Sequence, residues 1–190
     1  MTDEVLNLFK KTGALLEGHF KLRSGLHSNQ YFQCAILLQY PEISGQLCEY
    51  LTNKIKNIIN LEDIDTIISP AIGALTLGHE VAKISKKKFI FVEKENGILK
   101  LRRFDIKQNE RFLIIEDVVT KGGRVKETLD IVKSHGGIVN GIGVLVNRSN
   151  NTIDFNIPLI SLLDINSVSY EPDNIPNWLK KIPLVIPGSK

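Results

Sequence analysis

The spacing of apolar residues changes repeatedly along this chain, and each change predicts an element. Val5, Leu8 and Phe9 recur at helical intervals over residues 3–12, and Gly13 stops the pattern. The polar, glycine-bearing stretch from Gly18 to Ser28 keeps no helical period and reads as short strands and turns. Pro41 opens a second helix, at a position where its missing N–H does no harm, with Ile43, Leu47, Leu51, Ile55 and Ile58 along one face. Short apolar runs then stand at Ile64–Ile68, Phe89–Val92, Phe112–Ile115, Ile142–Val146 and Leu159–Leu163. Helical patterns separate some of them. One spans residues 73–84, with Leu75, Leu77, Val81 and Ile84. Another follows Gly122-Gly123, turns Val125, Leu129 and Val132 inward, and stops near Gly136-Gly137.

Strand-length runs without polar alternation, alternating with helices of about 12 residues, indicate βαβ units around a parallel sheet covered on both faces. The expected class is therefore α/β. The length of 190 residues suits one domain spanning 1–190. The last 20 residues, with Pro172, Pro176, Pro183 and Pro187, read as an extended tail packed on the body. Composition adds limits. Hydrophobic residues make up 43% and charged residues 24%, which excludes a disordered chain and a disulfide scaffold. No apolar run approaches the roughly 20 residues of a membrane span, and the first residues, Met1-Thr2-Asp3-Glu4, are unlike a signal peptide. Cys34 and Cys48 lie in apolar contexts without metal-ligand spacing and read as buried reduced thiols. The expected place is the cytoplasm. A net charge of +3 is too small to argue for nucleic acid as a partner.

Three apparent motifs fail on their chemistry. His79-Glu80-Val81-Ala82-Lys83 lacks the second imidazole of a zinc-protease helix. Gly141-Ile142-Gly143 lacks the third glycine of a dinucleotide fingerprint and runs into a strand. Lys121-Gly122-Gly123 lacks Walker-A spacing.

The informative stretch runs from Phe112 to Arg124. An apolar strand delivers Glu116 and Asp117 to its C-terminal edge, where ligands bind in open α/β sheets. A loop with Gly122 and Gly123 follows, and then a helix N-terminus, whose converging N–H groups favour a phosphate. Two carboxylates able to accept from sugar hydroxyls thus stand beside a phosphate cradle. A phosphorylated ribose satisfies both.

This stretch resembles the phosphoribosyl diphosphate (PRPP) signature of the type I phosphoribosyltransferases. Lys121 stands where a Thr is common, and Arg124 where a small hydroxyl residue is usual. The resemblance covers nearly the whole chain and narrows to the orotate phosphoribosyltransferases. Residues Gly18 to Ser28 with Tyr31-Phe32-Gln33-Cys34 are similar to that family's N-terminal hood. Ser69 to Ala74 is similar to its pyrophosphate loop, with Gly73 where many members carry Lys. Residues Glu93 to Arg103 are similar to its mobile loop, and Asn147-Arg148-Ser149 matches the place of its orotate-binding Arg.

The resemblance implies the type I phosphoribosyltransferase fold, a parallel sheet flanked by helices with a small hood built mainly from residues 1–40 and the C-terminal tail. It implies transfer of 5-phosphoribosyl from PRPP to orotate in pyrimidine synthesis, with Mg²⁺ as cofactor held mainly by PRPP rather than by direct side-chain ligands. Implied catalytic residues are Asp117, Glu116 and Lys94. Implied PRPP-binding residues are Glu116, Asp117, Val118, Val119, Thr120, Lys121, Gly122, Gly123 and Arg124, with Lys94. Lys100, Arg102 and Arg103 are unranked companions of Lys94 at the pyrophosphate. For orotate the resemblance implies Thr120, Arg148, Arg23, Ser24 and Gly25. It also implies a homodimer sharing loop 93–104 across its interface. A transferase for another base shares the signature but has no need for an Arg148 clamp. A PRPP-sensing regulator of nucleic acid would need a basic stripe or an added helix pair, and neither is evident.

Overall fold

The computed structural model describes residues 2–22, 25–150, 152–165 and 168–187. Arg23 and Ser24, expected at the base, lie outside these described residues. The chain begins with helix α1 (Thr2–Lys11), which ends at Gly13 with φ +74°, a left-handed value that costs glycine little. Strands β1 (Leu15–Lys21) and β2 (His27–Phe32) pair antiparallel. Helix α2 (Cys34–Leu38) is a single turn and a half that the sequence pattern did not reveal, because five residues are too few to show a period. Helix α3 (Pro41–Lys56) has Pro41 in its first turn, as expected. Ile58, expected on its inner face, lies beyond the helix end and is 57% exposed.

Strand β3 (Thr66–Pro70), helix α4 (Leu75–Ser85), strand β4 (Lys88–Glu95) and strand β5 (Ile98–Lys100) follow. Next come strand β6 (Arg111–Val119), helix α5 (Gly123–Ser134), strand β7 (Ile138–Asn147) and strand β8 (Leu159–Asp164). The C-terminal tail is not simply extended. It carries strand β9 (Ser169–Tyr170), the short helix α6 (Asn177–Lys180) and strand β10 (Leu184–Val185).

Two sheets result. The larger has the order β5-β4-β3-β6-β7-β8, parallel throughout except for the hairpin strand β5. Phe112 to Ile115 of its central strand β6 are fully buried because both faces are covered. Leu113 and Ile115 pack in the cluster that includes residues of α1, α3 and α4, while Phe112 and Ile114 pack in the cluster that includes Val125, Leu129 and Val132 of α5. Each such side chain contributes roughly 1.5–3 kcal/mol by leaving water. The smaller sheet, order β10-β1-β2-β9, is the hood, and the tail supplies both of its edge strands. Among the described residues no helix is long and apolar enough to cross a membrane.

The strand order positions the site. The chain lays β4 on one side of β3, then crosses back to place β6 on the other side. That reversal between β3 and β6 opens a crevice at their C-terminal ends, the place where doubly wound sheets bind ligands.

Candidate active site

The loop after β3 and the end of β6 meet in this crevice. Ala71 donates its N–H to Val92 O at 2.7 Å, which ties residues 71–74 to β4. Helix α4 starts immediately afterwards and lies close against β3, because Gly78 has no side chain where Ser69 Oγ and the Phe89 ring already stand. At Gly73 a Cβ would sit 3.0 Å from Asp117 Oδ2. The loop after β3 and Asp117 therefore touch, and the glycine leaves room for the carboxylate to lean toward the loop.

The acids are not at the strand's end, as the apolar run predicted. Strand β6 keeps pairing with β7 past them, through Glu116–Val144 and Val118–Val146 to Val119–Asn147. The backbone holds both carboxyl groups: Glu116 Oε1 accepts from Asp117 N–H at 3.0 Å, and Asp117 Oδ1 accepts from Val118 N–H at 2.7 Å. Glu116 is only 2% exposed, whereas Asp117 is partly open to solvent. Burial, with the neighbouring Asp117 charge, pushes the Glu116 carboxyl well above the ordinary range, and Arg124 opposes this only weakly.

Thr120 and Lys121 are exposed, Gly122 is buried with φ +69°, and α5 begins at Gly123. No side chain caps this helix start, and first-turn N–H groups have no intrahelical partner, so they face the crevice as donors. The Phe155 ring would stand 2.7 Å from a Cβ at Gly122. Phe155 is a support the sequence pattern gave no reason to single out.

Arg148 follows the last residue of β7 and donates its N–H to Val119 O at 2.8 Å, which places it beside the acid-bearing strand. It is 8% exposed, and its Nε and Nη2 have no hydrogen-bond partner among the described residues. Its guanidinium lies over the Phe32 ring at 5.6 Å, and burial lowers its pKa. Cys34 stands among these groups: burial pushes its thiol well up, Asp117 and Glu116 add to that, and Arg148 opposes it. Sequence reasoning gave Cys34 as a buried thiol and as part of the hood-like segment, with no role at the site. Its position beside Arg148 and the acids depends on α2, which no pattern announced.

The segment expected as a mobile loop continues β4 into the hairpin with β5. Its cations differ in their partners. Lys100 and Arg102 pair with Glu95, and Arg103 pairs with Glu93 at 2.9 Å. Lys94 is exposed and has no carboxylate partner among the described residues. Gly25, on the hood, adopts φ +87°. Among the described residues no three His, Cys, Asp or Glu side chains cluster as a metal site.

The fold and this crevice define a type I phosphoribosyltransferase. No protein-family model matches the chain. Among solved structures, the orotate phosphoribosyltransferase of Aeropyrum pernix superposes with a TM-score of 0.74 at 23% identity, covering 85% of this chain and 93% of that one. The adenine phosphoribosyltransferase of Thermoanaerobacter pseudethanolicus gives 0.62 at 18% identity, covering 72% and 88%. These likenesses carry the fold. The sequence goes further: an orotate phosphoribosyltransferase of Desulforamulus reducens is 43% identical over 189 residues, 99% of this chain and 97% of the relative. The chain belongs to the orotate phosphoribosyltransferase family.

Proposed function

We propose that this crevice transfers 5-phosphoribosyl from PRPP to N1 of orotate, giving orotidine 5'-monophosphate and pyrophosphate, with the following division of labour. The observation that carries the assignment of the base is Arg148. A buried guanidinium with two unsatisfied donors is costly unless a ligand pairs with it, and its planar fork matches a carboxylate. Orotate supplies one. Thr120 and Gly25, with Arg23 and Ser24, complete the surroundings of the base.

Breaking the C1–O bond of PRPP before the new C1–N bond forms leaves a cationic sugar and a departing polyanion. Asp117, the more open of the two acids, lies nearer the cation, and Glu116 holds a ribose hydroxyl beside it. The backbone of Val118 and Val119 leads into the loop Thr120-Lys121-Gly122-Gly123-Arg124, whose N–H groups hold the 5-phosphate. Lys94 neutralises pyrophosphate, since its hairpin companions are already engaged by glutamates. Mg²⁺ would be held mainly by the diphosphate and ribose oxygens of PRPP, with the partly open Asp117 carboxylate as a hard oxygen nearby, and would neutralise leaving-group charge. The chain acts as one domain, residues 1–190, in the cytoplasm, as a homodimer in which loop 93–104 reaches the partner's site.

Replacing Arg148 with Ala tests the assignment. The KM for orotate should rise roughly 100-fold, the size of a lost charge-assisted pair, while the KM for PRPP holds. An unchanged orotate KM in a folded variant would refute it.

A further inference from the structure

We infer that Asn147 is a positioning residue that aims Arg148 at the orotate carboxylate, through a polar network shared with Asp164 and Ser161. The inference rests on the reading of Arg148 given above. A side chain without hydrogen bonds of its own takes its direction from its backbone. Arg148 is in that position, because its Nε and Nη2 are unpartnered and Phe32 offers only a ring face. What fixes the backbone at residue 148 therefore decides where the guanidinium points.

Asn147 fixes it from both ends. Its Oδ1 accepts the N–H of Ser149 at 3.0 Å, closing a turn across Arg148, and its Nδ2 donates to Asp164 Oδ1 at 2.9 Å on the neighbouring strand β8. The same carboxylate oxygen accepts from Ser161 Oγ at 2.7 Å, and the Asn147 carbonyl accepts from Ile165 N–H at 2.8 Å. Asn147, Ser149 and Ser161 are largely buried, so losing a partner in this network carries a cost. The Ser149 N–H is the sensitive donor: unsatisfied, it favours a different turn, and Arg148 turns with it.

The surroundings make truncation here readable. Asn147, Ser149, Ser161 and Asp164 line an open cavity of about 280 Å³, together with Lys54 and Ile160. Shortening a side chain there enlarges a space that is already open.

The test is a set of variants assayed separately for orotate and for PRPP. Asn147→Ala should raise the KM for orotate roughly tenfold, the size of one lost hydrogen bond in a buried turn, with the KM for PRPP unchanged. Asn147→Asp keeps the acceptor for Ser149 but sets a carboxylate against Asp164, so it should also weaken orotate. Adding Asp164→Asn to it restores a donor opposite the new acceptor and should return the orotate KM to near the unmodified value. In an Arg148→Ala background, Asn147→Ala should add nothing. Equal rises in both KM values, or failure of the paired exchange to restore orotate binding, would overturn the role of Asn147. If Asn147→Ala does not fold, Asp164→Ala, at an exposed position, gives the same reading with a smaller rise. An orotate KM that ignores Arg148→Ala would remove the underlying assignment instead. One that responds to Arg148→Ala but not to Asn147→Ala or Asp164→Ala removes only this inference.

Discussion

Glu116 and Asp117 are adjacent in sequence yet meet different surroundings, and their chemistry separates accordingly. A carboxyl whose folded value is raised contributes full stability below its ordinary value, and that contribution is lost as pH rises through the folded value. Glu116 is such a group, with burial the main cause. Glu116→Gln should therefore melt increasingly higher than the unmodified protein as pH rises from 5 to 9, measured by thermal melts at each pH. Parallel curves would contradict the raised value. Asp117→Asn keeps the volume and should melt almost unchanged, while turnover falls roughly 100-fold or more through loss of charge beside the developing cation. Arg148→Ala has an opposite signature. Removing a buried charge with unpaired donors should leave the melting temperature equal or higher, even as orotate binding is lost. The acids were legible in the sequence because charge after an apolar run is conspicuous, whereas Arg148 was singled out only through the family resemblance. Cys34, Phe155 and Asn147 were not, since each matters only through contacts with residues distant in the chain.

Elements show why some boundaries escaped the sequence. The apolar run at Phe112–Ile115 ended at Glu116, and polarity was read as the strand's end. Pairing with β7 continues through Val119 because backbone hydrogen bonds do not depend on side-chain polarity. Similarly, the charged segment after Val92 looked like a loop, yet Glu93–Glu95 pair with Ile98–Lys100 as a hairpin turning at Asn96-Gly97, both with positive φ. The βαβ pattern itself was legible, because β3, β6, β7 and β8 carry continuous buried runs. At the phosphate loop the two glycines are not equivalent. Gly122 is left-handed and pressed by Phe155, whereas Gly123 has open space around a notional Cβ. Gly122→Ala should cost about 2 kcal/mol or more in urea unfolding and raise the KM for PRPP, while Gly123→Ala should cost under about 1 kcal/mol. Equal costs would contradict the loop geometry. In the hairpin, Lys94→Ala should lower kcat more than Arg103→Ala, whose cation is engaged by Glu93.

On the scale of the whole molecule, the hood and the tail are one unit. His19 and His27 are buried against each other, with His19 Nε2 2.6 Å from His27 Nδ1, and His19 Nδ1 lies 3.2 Å from Ile182 O of the tail. Burial lowers the His27 value, and His19 and Lys21 lower it further. For a histidine lowered by folding, the stability contribution is complete above the ordinary value near 6.5 and fades as pH falls through the folded value. Protection factors against hydrogen exchange in β10 and α6, taken relative to the intrinsic rate at each pH, should therefore fall from pH 7 to pH 5 while those of β6 and β7 hold, and His27→Gln should flatten the change. Unchanged tail protection across that range would count against this coupling. No local pattern announced this union, because the tail's strands are two residues long and their partners lie about 140 to 165 positions earlier. The net charge of +3 was equally silent. Its meaning lies in placement, with Glu116 and Asp117 side by side on β6 and the cations of residues 94–103 on and just after the β4–β5 hairpin.

The most direct test of the central claim follows the absorbance of orotate with purified protein, PRPP and Mg²⁺, run in both directions. The account predicts orotate consumption that requires PRPP, and its reappearance from orotidine 5'-monophosphate and pyrophosphate. Folded protein that leaves orotate untouched while converting uracil or a purine with PRPP would contradict it.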